Sequence, residues 1–184
     1  MLAARRLTRL LSVLALLGLV VFLYLGVQGE AWAESLSTAT LESTSSDNSL
    51  RGEITFTPTE SGVLVEAQVT GAPAGPHGFH IHENASCADA GNAAGGHFNP
   101  DGSPHGNLQR DGFANAHAGD LGNLTIAADG SGSYREEIPG LTLTDGKYAI
   151  ANHAVILHEK VDSYVQPTGD AGGRIACGIV QVAE

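Results

Sequence analysis

The short run Gly78-Phe79-His80-Ile81-His82-Glu83 constrains the fold more than any other part of the sequence. Successive side chains of a β-strand point to opposite faces, so His80 and His82 share one face and Phe79 and Ile81 share the other. Two imidazoles held side by side on a strand form half of a metal site. The alternative is a pair of surface histidines on an edge strand. Five further histidines within about eighty positions favour the metal site.

Short alternating runs separated by turn residues predict an all-β domain. Residues 52–58 and 63–70 alternate on either side of a Glu-Ser-Gly turn, which predicts a hairpin with one solvated face. Six more β runs are predicted, at residues 39–43, 121–126, 133–138, 147–150, 154–159 and 174–182. With the strand of His80 and His82 there are nine runs, from which about eight strands are expected, and no stretch is convincingly helical. This pattern predicts an eight-stranded antiparallel Greek-key sandwich or flattened barrel.

Two stretches without periodicity interrupt the β runs. Residues 84–120 are dominated by Gly, Asn, Asp, Pro and His, and a loop of this length inside a compact domain is usually functional or disordered. Because it contains His97, His105 and His117, we interpret it as a functional loop that metal orders. A second loop, residues 160–173, precedes the last strand.

The N-terminal 33 residues have the features of an export signal. Three arginines precede an uncharged apolar run at residues 10–27, and Ala31-Trp32-Ala33 follows as a small-x-small pattern. We expect cleavage after residue 33, which leaves one domain at 34–184 in the periplasm or outside the cell. The alternative is an uncleaved membrane anchor, since the apolar run is near the lower limit for a membrane span.

Charge and cysteine content narrow the class of protein further. The formal net charge is −11, and loss of residues 1–33 with three arginines and one glutamate makes it about −13. Such a surface argues against nucleic acid and anionic membranes as partners. Cys87 and Cys177 are too far apart for a C-x-x-C site, so in an exported protein they predict one disulfide. The alternative is two buried free thiols.

Counting candidate ligands predicts two linked metal sites. Three histidines and one aspartate suit zinc, whereas the strand pair with His158 suits copper, which favours imidazole nitrogen. Seven ligands are one short of two four-coordinate sites, and a shared imidazole would make up the difference. Counting alone does not identify the shared residue. The seven candidates are His80, His82, His97, His105, His117, Asp120 and His158.

Five motifs in order make the sequence similar to a known family, the copper/zinc superoxide dismutases of the exported bacterial type. The order and approximate spacing match over about residues 35–182. One such motif would be weak evidence, but five in register are specific. They are Gly78-Phe79-His80-Ile81-His82-Glu83, Gly96-His97-Phe98-Asn99-Pro100, His117-Ala118-Gly119-Asp120-Leu121-Gly122-Asn123, His158-Glu159-Lys160 and Gly172-Gly173-Arg174-Ile175-Ala176-Cys177-Gly178.

The resemblance implies a role for each candidate ligand. It implies copper on His80, His82, His97 and His158, and zinc on His97, His105, His117 and Asp120. His97 would then be the shared imidazole.

The resemblance also implies four supporting residues. Asp162 would bridge His80 and His105 from outside the metal sites, although it could instead be a solvated loop acid. Arg174 would receive the anionic substrate beside copper, although it could be a sheet-edge charge. Cys87 and Cys177 would form the disulfide that ties the ligand loop to the last strand. The remaining histidines, His77 and His153, match no ligand position, and we interpret them as structural or surface residues.

The implied activity is superoxide dismutation by alternate reduction and reoxidation of copper, with zinc structural and His97 carrying a proton. The implied substrate is the superoxide anion. The sequence does not distinguish a homodimer from a monomer. Two alternatives are a periplasmic copper-binding or chaperone protein on the same fold and a sandwich that has lost its metals. Neither cysteine forms the thiolate motif expected of a chaperone, and no ligand is missing. The second loop departs from animal members, since only Lys160 is positive before Arg174.

Overall fold

The computed structural model describes residues 36–46 and 49–183, so the predicted signal peptide at 1–33 lies outside the described residues. The described chain forms nine β-strands and two single turns of helix. None of its helices has the length and apolar character needed to span a bilayer. The strands are β1 Ser37–Ser43, β2 Arg51–Pro58, β3 Gly62–Thr70, β4 Gly75–His82, β5 Asp120–Ile126, β6 Gly132–Pro139, β7 Ala154–His158, β8 Arg174–Ile179 and β9 Gln181–Val182; the helical turns are Asn92–Ala94 (3-10) and α1 Leu108–Asp111.

Every strand pairs antiparallel with its neighbours, and the sheet closes on itself. The spatial order is β2-β3-β6-β5-β4-β7-β8-β1, and β1 pairs again with β2, for example Thr40 opposite Glu53. This closure confirms the predicted antiparallel barrel. The predicted last strand is split at Val180, whose backbone groups bond to the segment before β7 instead of to β1. The Val180 N–H donates to the His153 carbonyl at 2.9 Å, and its carbonyl accepts from the Asn152 N–H at 3.0 Å.

The alternating pattern places one face of each strand in a continuous apolar core. Ile54 and Phe56 of β2 are fully buried, as are Phe79 and Ile81 of β4. Burying a side chain of this size stabilises the fold by about 1.5–3 kcal/mol. Since Phe79 and Ile81 point inward, the opposite face of β4 carries His80 and His82, as the alternation predicted.

One local prediction is wrong. Residues 147–150 form no strand; Ala149 makes only an isolated bridge with Thr142, and residues 147–148 form a turn. Lys147 and Tyr148 there both bind the carboxylate of Asp101, so side-chain contacts replace ladder pairing. The prediction of no convincing helix agrees with the described chain, whose helical content is the two single turns. A single turn is too short to show helical periodicity in sequence.

The long loop is hydrogen-bonded at two points to Ile81, near the end of β4. Phe98 N–H donates to the Ile81 carbonyl, and Ile81 N–H donates to the Gly119 carbonyl, each at 2.9 Å. A Cβ on Gly119 would lie 2.0 Å from the Ile81 carbonyl oxygen, so only glycine permits this approach. The contacts bring the loop histidines against the face of β4 that carries His80 and His82.

A disulfide joins Cys87, near the start of the long loop, to Cys177 of β8. The two Cα atoms lie 5.7 Å apart, and the described residues include no free cysteine. The alternative of two free thiols is therefore wrong. The bond anchors the beginning of the loop to the strand that also carries Arg174.

Removing this disulfide is expected to lower the free energy of unfolding by about 4–5 kcal/mol, because the bond closes a loop of 90 residues. The measurement is chemical denaturation of the wild type and the Cys87→Ser/Cys177→Ser double variant, both loaded with metal. The fold-change in the dismutation rate should be much smaller than the fold-change in the unfolding equilibrium constant, since neither sulfur lies among the clustered histidines. An unchanged unfolding free energy would contradict the prediction.

Candidate metal centre

Four imidazoles form a first cluster on the outer face of β4. All four are buried, and their nearest ring nitrogens lie within 4.8 Å of one another. Three stand on strands, whereas the fourth comes from the long loop, which is bridged to β4 at that position. The members are His80, His82, His97 and His158.

A second cluster contains three imidazoles and one carboxylate from the long loop and the start of β5. Asp120 is its hub. One carboxylate oxygen lies 2.7 Å from His97 Nδ1 and 3.2 Å from His117 Nδ1, and the other lies 2.9 Å from His105 Nδ1. The members are His97, His105, His117 and Asp120, and all are buried. His97 belongs to both clusters.

The nitrogen positions test whether metal ions fit. His82 and His158 each direct Nδ1 at a backbone carbonyl, and their Nε2 atoms face each other at 3.3 Å. The Nδ1 atoms of His97 and His117 are likewise 3.3 Å apart. Ligand atoms of a tetrahedral ion with bonds of 2.0–2.1 Å would be separated by about 3.3 Å.

Two buried ring nitrogens also indicate that metal ions fit the two clusters. The Nδ1 atoms of His80 and His105 have no hydrogen-bond partner within the described chain. His105 Nδ1 lies close to Asp120, but not in a hydrogen-bonding direction. An unpaired buried nitrogen costs about 1–3 kcal/mol unless something else binds it. Each belongs to one of the clusters, so the donor atoms fit one metal ion per cluster.

The electrostatics keep four of the candidate ligands, His82, His97, His158 and Asp120, in their metal-binding protonation states. Burial lowers the pKa of His82 to about 2, of His158 to about 3 and of His97 to about 4, so these rings are neutral near pH 7. Burial would raise the pKa of Asp120, but its contacts with His105 and the other imidazoles outweigh burial and hold that pKa well below its usual range. Neutral imidazole and ionised carboxylate are the forms that bind metals. The exception is His105: burial lowers its pKa, but the carboxylates of Asp120 and Asp162 outweigh burial and raise that pKa to about 9, so metal binding there releases a proton.

Asp162 links the two clusters from outside. One carboxylate oxygen lies 2.9 Å from His80 Nε2, and the other lies 2.9 Å from His105 Nε2. Each ring therefore donates from Nε2 and leaves Nδ1 for its cluster, which explains the two unpaired Nδ1 atoms. Asp162 is buried rather than solvated. The close approach of the chain at position 169 to Asp162 requires glycine, because a Cβ there would lie 1.8 Å from the Asp162 carboxylate.

A cleft of about 420 Å³ opens over the first cluster. Its walls include Thr168, Asp170 and the half-buried Arg174. The Arg174 guanidinium donates to the carbonyls of Gly91 and Gly95 at 2.6 Å each. Arg174 is thus held beside the histidines by the loop that the disulfide anchors, and it lines the cleft together with Asp170.

Several supporting residues went unrecognised in the sequence. The Asn123 amide holds the backbone of Asp162, accepting from its N–H at 2.8 Å and donating to its carbonyl at 3.0 Å. Gln166 holds the backbone of His105 in the same reciprocal way. A lone amide residue, whether on a strand like Asn123 or in a loop like Gln166, carries no signal of such a role. His77 is structural, with ring nitrogens 2.8 Å from two backbone carbonyls, and His153 packs on Phe98.

Comparison with known proteins identifies the family. The family profile described as copper/zinc superoxide dismutase matches residues 50–180. The chain belongs to the copper/zinc superoxide dismutase family. Its cofactors are copper and zinc, and it is an oxidoreductase that dismutates superoxide. Family membership therefore favours the dismutase over both alternatives weighed from the sequence.

Individual relatives of the superoxide dismutase family show how far the similarity extends. The "Superoxide dismutase [Cu-Zn]" of Legionella pneumophila is 38% identical over 132 residues, covering 71% of this chain and 77% of the relative. The "Extracellular superoxide dismutase [Cu-Zn]" of Drosophila melanogaster is 38% identical over 149 residues, covering 74% and 79%. The crystal structure of the clock protein EA4 superposes with a TM-score of 0.73 at 35% identity, covering 82% of this chain and 96% of that one.

Proposed function

We propose that the dismutase uses the two clusters as distinct sites that share one ligand. The first cluster, His80, His82, His97 and His158, would hold copper. The second, His97, His105, His117 and Asp120, would hold zinc. The observation that carries this assignment is the position of His97, whose Nδ1 lies between Asp120 and His117 and leaves Nε2 for the first cluster.

Ligand chemistry decides which metal belongs to which cluster. Four imidazoles suit copper, whereas three imidazoles and a carboxylate suit zinc. The cleft opens over the four-imidazole cluster, so substrate reaches that site. When bound, copper supplies one-electron redox chemistry and zinc supplies fixed charge without redox change.

The chain itself binds the anion and provides a proton. Arg174 lines the cleft, and its guanidinium is a cation fixed in place by the Gly91 and Gly95 carbonyls, which suits it to attract a small oxygen anion. Formation of one hydrogen peroxide from superoxide consumes two protons. His97 Nε2 is a buried ring nitrogen beside the cleft that is suited to carrying one of them, while the contacts of Nδ1 in the second cluster keep the ring in place.

The test is metal content measured together with superoxide consumption. We expect one copper and one zinc per chain. Removing both metals by chelation should abolish activity; copper with zinc should restore it, and zinc alone should not. Copper uptake without superoxide consumption would favour the copper-binding alternative, and activity in copper-free protein would refute the assignment.

We also propose that the protein is exported, to the periplasm or the extracellular space, and that residues 1–33 are its signal. Support comes from the Cys87–Cys177 disulfide, since such bonds persist in oxidising compartments. The Drosophila and Caenorhabditis elegans relatives are named extracellular enzymes. N-terminal sequencing of protein from the native source should begin at Glu34. A retained leader in the membrane fraction would indicate an anchor instead.

A further inference from the structure

We infer that Gln166 is a positioning residue for the zinc site: its side-chain amide sets the backbone of His105, and so aims that imidazole at the second cluster. The inference rests on the proposed assignment of zinc to that cluster. It concerns the short second loop, residues 160–173, which carries no ligand itself.

The contact is a reciprocal pair of hydrogen bonds. The Gln166 Oε1 accepts from the His105 N–H at 2.9 Å, and the Gln166 Nε2 donates to the His105 carbonyl at 2.8 Å. Within residues 36–46 and 49–183, no other hydrogen bond reaches either backbone group of His105. His105 lies in no strand or helix and stands between Pro104 and Gly106. The adjacent Gly106 N–H donates to Asp120 at 2.9 Å, so Gln166 and this one neighbouring contact hold the backbone at His105.

The same loop also holds the ring of His105. Asp162 binds Nε2 at 2.9 Å, and the Tyr164 ring stacks on the imidazole with centroids 6.4 Å apart. The second loop thus holds the backbone, the Nε2 atom and the ring face of His105. The Nδ1 atom of the same ring lies near Asp120. Holding a ligand in its bound orientation before the metal arrives reduces the ordering cost of binding.

Loss of Gln166 should affect the zinc site selectively. Three of the four first-cluster ligands stand on strands β4 and β7, where ladder hydrogen bonds fix the backbone. The connection from the second loop to His80 runs through Asp162. The backbone of Asp162 is held separately by Asn123, so it should stay in place without Gln166.

The experiment compares Gln166→Met with Gln109→Met. Methionine has a similar length to glutamine but cannot make the reciprocal pair, and Gln166 is exposed, so no core packing is lost. Gln109 is also an exposed glutamine with a side-chain hydrogen bond, to Glu136, and lies in neither cluster. Zinc affinity is measured on metal-free protein by competition with a chromophoric chelator, and copper affinity is measured in parallel.

We expect Q166M to bind zinc about 10-fold more weakly than wild type or more, within the range for lost outer partners of metal ligands. Q109M should match wild type, and copper affinity should be unchanged in both variants. Cobalt(II), used as a spectroscopic probe of the zinc site, should show altered visible bands in Q166M alone.

Equal zinc affinity in Q166M and wild type would overturn the role of Gln166 and leave the metal assignment intact. Equal weakening of zinc and copper would also overturn it, because that result indicates general destabilisation rather than positioning. A wild type that takes up no zinc would instead refute the zinc assignment on which the inference rests.

Discussion

Replacing His97 with alanine is expected to damage both metal sites at once. His97 is the one residue that both clusters share among the described residues, so the change removes one donor from each. Zinc affinity should fall by more than the roughly 10–100-fold typical of losing an outer hydrogen-bond partner. Dismutation should fall about 10²-fold or more, since the variant also loses the proposed proton carrier.

The measurement is copper and zinc stoichiometry together with the copper electron paramagnetic resonance spectrum and the rate of superoxide loss. His153→Ala is the matched control, because His153 packs on Phe98 with ring centroids 4.2 Å apart but belongs to neither cluster. It should keep both metals and the wild-type copper spectrum. An H97A protein that lost only zinc and kept an unchanged copper spectrum would show that His97 is not shared.

Replacing Arg174 with isoleucine should lower the second-order rate with superoxide by about tenfold or more, with copper content unchanged. Losing a hydrogen bond to a charged group costs roughly 1.5–3 kcal/mol, and each 1.4 kcal/mol is about a factor of ten. Arg174→Glu should be worse, since it places a negative charge where the anion binds. The whole chain carries −11, so a local positive focus at the cleft is needed to capture an anion.

Arg135→Ile is the control that separates local charge from net charge. Arg135 is exposed on β6 and pairs with Glu66, so its loss changes the net charge equally without altering the cleft. It should leave the rate nearly unchanged. Added salt should slow the wild type, because screening over about 10 Å at 0.1 M weakens the attraction to Arg174. A rate that rises with salt, together with an unimpaired R174I, would refute this role.

Much of the fold and the candidate ligand set could be predicted because both follow from local geometry. Strand alternation alone places Phe79 and Ile81 on one face and His80 and His82 on the other, independently of the rest of the chain. Ligand chemistry and spacing then select the seven donors. The closed barrel follows from several amphipathic strands that each need a covered apolar face.

Other features could not be predicted because they depend on contacts between distant segments. Residues 147–150 have strand-like composition, yet Lys147 and Tyr148 bind Asp101, more than forty positions away. The last strand splits at Val180 only because the residues before β7 supply alternative backbone partners. Such outcomes depend on which neighbours are available after the chain has closed.

The sequence by itself determined the candidate donors, since the imidazole and carboxylate side chains at these positions suit the proposed pair of metal sites. Tertiary structure decided how each donor is aimed. Asp162 selects Nδ1 of both His80 and His105, and Gln166 sets the His105 backbone from 61 positions away. Ligand identity is a property of one residue, whereas ligand orientation depends on hydrogen bonds between loops that meet only in the folded chain.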